Sequence, residues 1–140
     1  MRVRRYSAAM AGDAKQLIQQ HMIGLLDEVP ALKPLKLVVG FDMIGRGDLQ
    51  QFRMALPDTA VTKDIGADAR IRVEMRREFF NLMAEHGAKT ADWREAYHDG
   101  KVKVTGVQQY IRLIAQVVDK QEERDRLKRQ TRRRGPAVET

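Results

Sequence analysis

Asp99-Gly100-Lys101-Val102-Lys103-Val104-Thr105-Gly106 decides how the rest of the chain is read. Val102 and Val104 alternate with Lys101 and Lys103, the two-residue period of a strand with one wet face, and a glycine stands at each end. Before it, Trp93, Ala96 and Tyr97 follow Thr90, a good N-cap, and predict a short helix that ends at Asp99-Gly100. After it, Val107, Tyr110, Ile111, Ile114, Val117 and Val118 recur at helical spacing. Helix, strand and helix therefore follow one another across this stretch.

Upstream, Ile71, Val73 and Met75 alternate with Arg70, Arg72 and Glu74, so another half-buried strand is expected. Phe79, Phe80, Leu82 and Met83 then form a helical apolar face over about 76–86, with Gly87 as its stop. Farther back, the run 35–44 and the alternating Phe52, Met54 and Leu56 flank the turn Gly45-Arg46-Gly47-Asp48 and predict an antiparallel hairpin, with a short third strand at Val61-Thr62-Lys63. Between Asp13, a plausible N-cap, and Pro30, the positions Leu17, Ile18, His21, Met22, Leu25 and Leu26 predict the first helix. The fold class expected is α+β, a single domain with a mixed, mainly antiparallel sheet of about five strands and helices covering one face.

A chain of 140 residues is about one domain long and needs no staple to fold. It has no cysteine, which excludes disulfides, thiolate metal sites and cysteine nucleophiles. No secretory signal and no long apolar run is visible, so a cytoplasmic location is expected. The net charge of +7 sits at the ends. Arg2, Arg4 and Arg5 mark a basic N-terminal arm (residues 1–12), and Lys128, Arg129, Arg132, Arg133 and Arg134 belong to a charged, net basic C-terminal extension (residues 119–140). The domain proper, residues 13–118, is nearly neutral. In the extension, Asp119, Glu122, Glu123 and Asp125 interleave with the basic residues, as on a solvated helix face, and no aromatic residue accompanies the arginines. Both features argue against nucleic acid, which would lose affinity steeply with salt if the tail bound it.

From Ala69 to Val118 the chain resembles the sterol carrier protein type 2 family. The resemblance is carried by Ile71-Arg72-Val73, Glu78-Phe79-Phe80-Asn81-Leu82-Met83, Gly87, Asp92-Trp93-Arg94-Glu95-Ala96-Tyr97 and Asp99-Gly100-Lys101-Val102-Lys103-Val104-Thr105-Gly106, in the family's order of elements. It extends more loosely back to residue 13. Val107-Gln108-Gln109-Tyr110 and the longer charged ending depart from the family's pattern. The resemblance implies a five-stranded sheet with helices over one face, enclosing an apolar tunnel for sterols or fatty-acyl lipids, and no catalysis.

Candidate lipid-binding residues on the apolar faces of different elements are Phe41, Phe52, Met54, Phe79, Met83, Trp93, Tyr97, Tyr110, Ile111 and Ile114. Taken singly, each reads more readily as plain core, because periodicity does not distinguish a cavity wall from a filled interior. Three histidines without helical i,i+4 spacing suggest no metal, and Asp42, Asp48, Asp92, Glu95 and Asp99 suggest no acid–base pair, so no catalytic residue and no cofactor are expected. The functions expected are noncatalytic lipid binding or transfer, with the tail docking on an acidic membrane surface or a partner enzyme. The alternatives are an accessory role in isoprenoid-quinone or steroid metabolism through protein partners, or nucleic-acid binding through the basic tail.

Overall fold

The computed structural model describes residues 2–139, and side chains from Ala14 to Arg132. The basic arm at 1–12 and the arginines at 133 and 134 therefore have side chains outside the described residues. Helix α1 (Arg2–Glu28) leads into a 3-10 turn at Pro30–Leu32. Strands β1 (Val38–Ile44), β2 (Leu49–Ala55), β3 (Val61–Lys63) and β4 (Ile71–Arg76) follow. Then come α2 (Arg77–Glu85), α3 (Thr90–His98), β5 (Val102–Gly106) and α4 (Gln108–Glu139).

The sheet order is β3-β2-β1-β4-β5. β1 and β2 form the expected hairpin, with Phe41 opposite Phe52 and Val39 opposite Met54, closed by the Gly45 N–H donating to the Asp48 carbonyl at 2.9 Å. β2–β3 and β4–β5 are also antiparallel. β1–β4 is the parallel pair, with Phe41 opposite Val73 and Met43 opposite Met75. The sheet is thus mixed and mainly antiparallel, in an α+β domain.

Side-chain alternation divides the sheet into two faces. The inner face is apolar and buried at Val39, Phe41, Met43, Phe52, Met54, Ile71, Met75 and Val102. Ile18 and Leu26 of α1, Phe80 of α2 and Ala96 of α3 join this core, and Tyr110, Ile111 and Ile114 of α4 pack against it. The outer face is polar. There the Arg72 guanidinium donates to both Asp42 carboxylate oxygens, at 3.1 and 2.6 Å, and to the carbonyls of Ile65 and Gly66, at 2.9 and 3.0 Å. Gly40 leaves room beneath it, since a Cβ there would come within 2.9 Å of the guanidinium and push it aside. Asp42 also accepts from Gln51 at 3.1 Å, and these hydrogen bonds, those of Arg72 foremost, hold its carboxyl below the usual carboxylate range against the opposing effect of burial.

Two expectations about helix starts need correction. Asp13 is not an N-cap, since α1 already begins at Arg2. Nor is Thr90, because Lys89 occupies the cap position of α3. The Lys89 N–H donates to the Asp92 carboxylate at 2.9 Å, while the Thr90 amide and hydroxyl donate to the Glu28 carboxylate at 3.1 and 2.9 Å. A tertiary partner on α1 thus takes the threonine that a local cap would have used.

Through residue 139 the extension is helical, as the interleaved charges at Asp119, Glu122, Glu123 and Asp125 suggest. α4 crosses residue 118 without a break, and Arg94 of α3 pairs with Asp119 and, at 2.6 Å, with Glu122. Among the described residues no helix is long and apolar enough to cross a membrane.

Gly106 ends β5 at φ 127°, where a Cβ would collide with the Arg70 carbonyl oxygen. Its neighbour Val107 donates to that same oxygen at 2.9 Å, so the backbone approach is part of the seam that starts α4. Gly106→Ala is expected to lower the unfolding free energy by about 3 kcal/mol, combining a disfavoured φ with the clash. The measurement is urea unfolding, with a lower midpoint at unchanged slope.

Candidate functional site

The helix layer meets the sheet through aromatic and thioether side chains. Trp93 of α3 lies at its centre, edge-on to Phe79 with ring centroids 6.1 Å apart and stacked on Phe80 at 6.2 Å. Its indole N–H donates to His21 Nε2 at 2.8 Å. His21, on the apolar face of α1, also sits edge-on to Phe80 at 5.9 Å. Accepting at Nε2 leaves the imidazole neutral with its proton on Nδ1, and burial pushes its pKa below the ordinary histidine value. The histidine is thus a satisfied boundary residue that aims the tryptophan.

Next to this cluster a surface groove of about 260 Å³ is lined by Phe79, Met83, Ala88 and Ala96, with His86, Asp92, Glu95, Asp99 and Lys101 around it. The Lys101 ammonium stands 5.6 Å from the Phe79 ring centroid. A second cleft, about 660 Å³ and open, is lined by Glu28, Glu122, Glu123 and Asp125 together with Lys89, Ala91, Arg126 and Arg129. Size and chemistry oppose each other here. The larger cleft is lined by charged side chains with Ala91 as its one apolar residue, while the smaller groove has Phe79 and Met83 on its floor.

Of the ten residues singled out from sequence, Phe41, Phe52 and Met54 are buried on the inner face of the sheet. Phe79, Met83, Trp93, Tyr110, Ile111 and Ile114 pack from α2, α3 and α4 against the buried cluster to which those three belong. Tyr97 stands apart, 45% exposed, with its ring 5.7 Å from that of His98. The buried stripe of α3 runs through Thr90, Trp93 and Ala96, and Tyr97 lies one residue round the helix from it. Residues not singled out that shape the groove are Ala88, Ala96 and Lys101. Lys101 carried a signal in the Gly100-Lys101 pair; the alanines carried none, because their small size is what opens the space. Among the described residues no group of three or more histidine, aspartate or glutamate side chains is placed to hold a metal ion.

No family model matches the sequence, and no curated protein does. Solved structures match the fold. The crystal structure of sterol carrier protein 2-like 2 from Aedes aegypti is 16% identical, covers 74% of this chain and 98% of that one, and superposes with a TM-score of 0.50. The palmitated form of that protein in solution is again 16% identical, covering 72% of this chain and 93% of that one, with a TM-score of 0.50. A UbiJ-SCP2 ubiquinone synthesis protein is 15% identical over 83% of this chain and 98% of its own, with a TM-score of 0.47. The class defined is a single α+β domain with helices on one face of a five-stranded mixed sheet. More particularly, its fold is that of a sterol carrier protein 2 domain.

The buried imidazole has a consequence for stability. A histidine whose folded pKa lies below its unfolded value of 6.5 binds fewer protons folded than unfolded, so its contribution is fully present above pH 6.5 and is lost as pH falls through the folded pKa. Urea unfolding is expected to show stability falling below pH 6.5 by at most about 1.4 kcal/mol per pH unit from this group. His21→Gln, which keeps an acceptor for the Trp93 indole but does not titrate, is expected to flatten that slope between pH 7.5 and 5.5.

Proposed function

We propose that the protein is a noncatalytic carrier that binds a sterol-like or fatty-acyl lipid between the inner face of the sheet and its helix layer. The observation that carries this reading is that the apolar interface reaches the surface at Phe79 and Met83, where the groove has an apolar floor. A lipid needs little more than that. At about 0.8 kcal/mol per buried methylene, ten methylenes contribute roughly 8 kcal/mol before the cost of association.

A groove of about 260 Å³ falls just short of the roughly 300–1,000 Å³ typical of small-molecule sites. The ligand therefore enters by displacing side chains. Met83, with three rotatable bonds and a polarizable sulfur, is suited to yield. Phe79 covers the entrance, and Tyr110, Ile111 and Ile114 of α4 close the tunnel so formed at one end. The palmitated state of the Aedes aegypti protein of the same fold supports an acyl chain as one class of ligand.

In this proposal the charged end of α4 serves docking on an acidic membrane or a partner enzyme in the cytoplasm. Arg126 is near Glu123 and Arg124 bonds to Gln121, a pattern of solvated helix pairs that favours this over a phosphate-tracking surface.

Native mass spectrometry of the purified protein, followed by organic extraction and titration with a fluorescent fatty acid and a fluorescent sterol, tests the reading. Bound lipid and saturable uptake are expected. Phe79→Asp is expected to reduce uptake at least tenfold while the far-UV spectrum stays native. Failure to copurify with or take up any lipid overturns the carrier reading.

A further inference from the structure

Gln50 lies on the inner face of the sheet, directly opposite Met43 and in step with Phe52 and Met54 on its own strand. Its Oε1 is enclosed and accepts a hydrogen bond from no described residue. A leucine there would complete the apolar face. A glutamine leaves a carbonyl oxygen that has lost water and gained nothing, which folded proteins seldom retain without a use.

The registers place this oxygen at the head of a path. Gln50 faces Met43, Met43 faces Met75, and Met75 faces Val102, so the four residues form one rung across β2, β1, β4 and β5. Three strand spacings make the rung about 14 Å long. At its far end, beside Val102, Lys101 borders the groove lined by Phe79 and Met83. The two side chains in the middle are both thioethers, the apolar type that most readily re-forms around an inserted chain.

We propose that Gln50 is the polar anchor of the lipid site, accepting a hydrogen bond from a ligand hydroxyl. The lipid lies along the Gln50–Met43–Met75–Val102 rung and its tail leaves at the Phe79–Met83 groove. This rests on the carrier reading above and names the ligand class within it, a long-chain or polycyclic lipid alcohol. The enclosed Oε1 needs a donor, which a hydroxyl supplies; a free carboxylate at pH 7 has none and would have to be met by the Gln50 amide NH2 instead. At the groove it would meet Lys101 but also the carboxylates of Asp92, Glu95 and Asp99.

Fluorescence titration of the full chain with 12-(1-pyrenyl)dodecanol and with 1-pyrenyldodecane, identical but for the hydroxyl, tests the assignment. Wild type is expected to bind the alcohol about tenfold more tightly than the alkane, the value of one good buried hydrogen bond. Gln50→Met and Gln50→Leu are expected to bind both probes as wild type binds the alkane, with an unfolding midpoint no lower than that of wild type. Equal affinity of wild type for the two probes overturns the anchor while leaving the carrier intact, as does a preference for the alcohol that survives in both variants. Binding of neither probe by wild type overturns both.

Discussion

The parallel pairing of β1 with β4 is the joint on which the rest depends. On one side of it lies the β3-β2-β1 meander, on the other the β4–β5 pair, and among the described residues no other strand pairing connects them. Parallel pairs are slightly less stable per residue than antiparallel ones, and here the pair is reinforced from both sides. On the inner face Phe41 meets Val73 and Met43 meets Met75. On the outer face Arg72 reaches back to Asp42 across the same joint and, through the carbonyls of Ile65 and Gly66, fixes the loop that delivers the chain to β4. Because the guanidinium is shared among a carboxylate and two carbonyls, its loss would leave Asp42, only 14% exposed, without its charge partner.

Above this joint the helix layer is held by contacts from distant parts of the chain. Glu28 at the end of α1 accepts from the first residue of α3, and His21 accepts from Trp93. α3 in turn is tied to α4 through Arg94. The side of the layer nearest β5 is thus pinned by hydrogen bonds and ion pairs at its rim, while its contact with the sheet is apolar and made by Phe79, Met83, Tyr110 and Ile111.

Much of this architecture was legible in the sequence because it is local. The alternation at Ile71-Val73-Met75 and at Val102-Val104, the glycines after the helices, and the turn at 45–48 each act over a few residues. Gly106 was legible only as punctuation; its φ and the approach of Arg70 give it a tertiary meaning. What stayed hidden was non-local. Nothing near Arg72 announces Asp42, and nothing near Thr90 announces Glu28, so the threonine looked like a cap. Tyr97 shows the limit of period counting on a nine-residue helix, where one step of rotation separates a buried Ala96 from an exposed ring. Gln50 reads as one polar residue in an alternating strand until the register puts it opposite Met43.

The two outermost strands carry a further consequence. An uncovered strand edge invites a second chain to add itself by backbone pairing, the first step toward fibrils, and a protein with an apolar groove on its surface carries that risk too. β3 is three residues long and exposes Thr62 and Lys63. β5 exposes Lys103 and is preceded by the exposed Lys101. One edge is too short to template a partner and the other would bring lysine against lysine. The strand edges are thus poorly open to copies of the same chain, even though the groove at Phe79 and Met83 leaves apolar surface exposed.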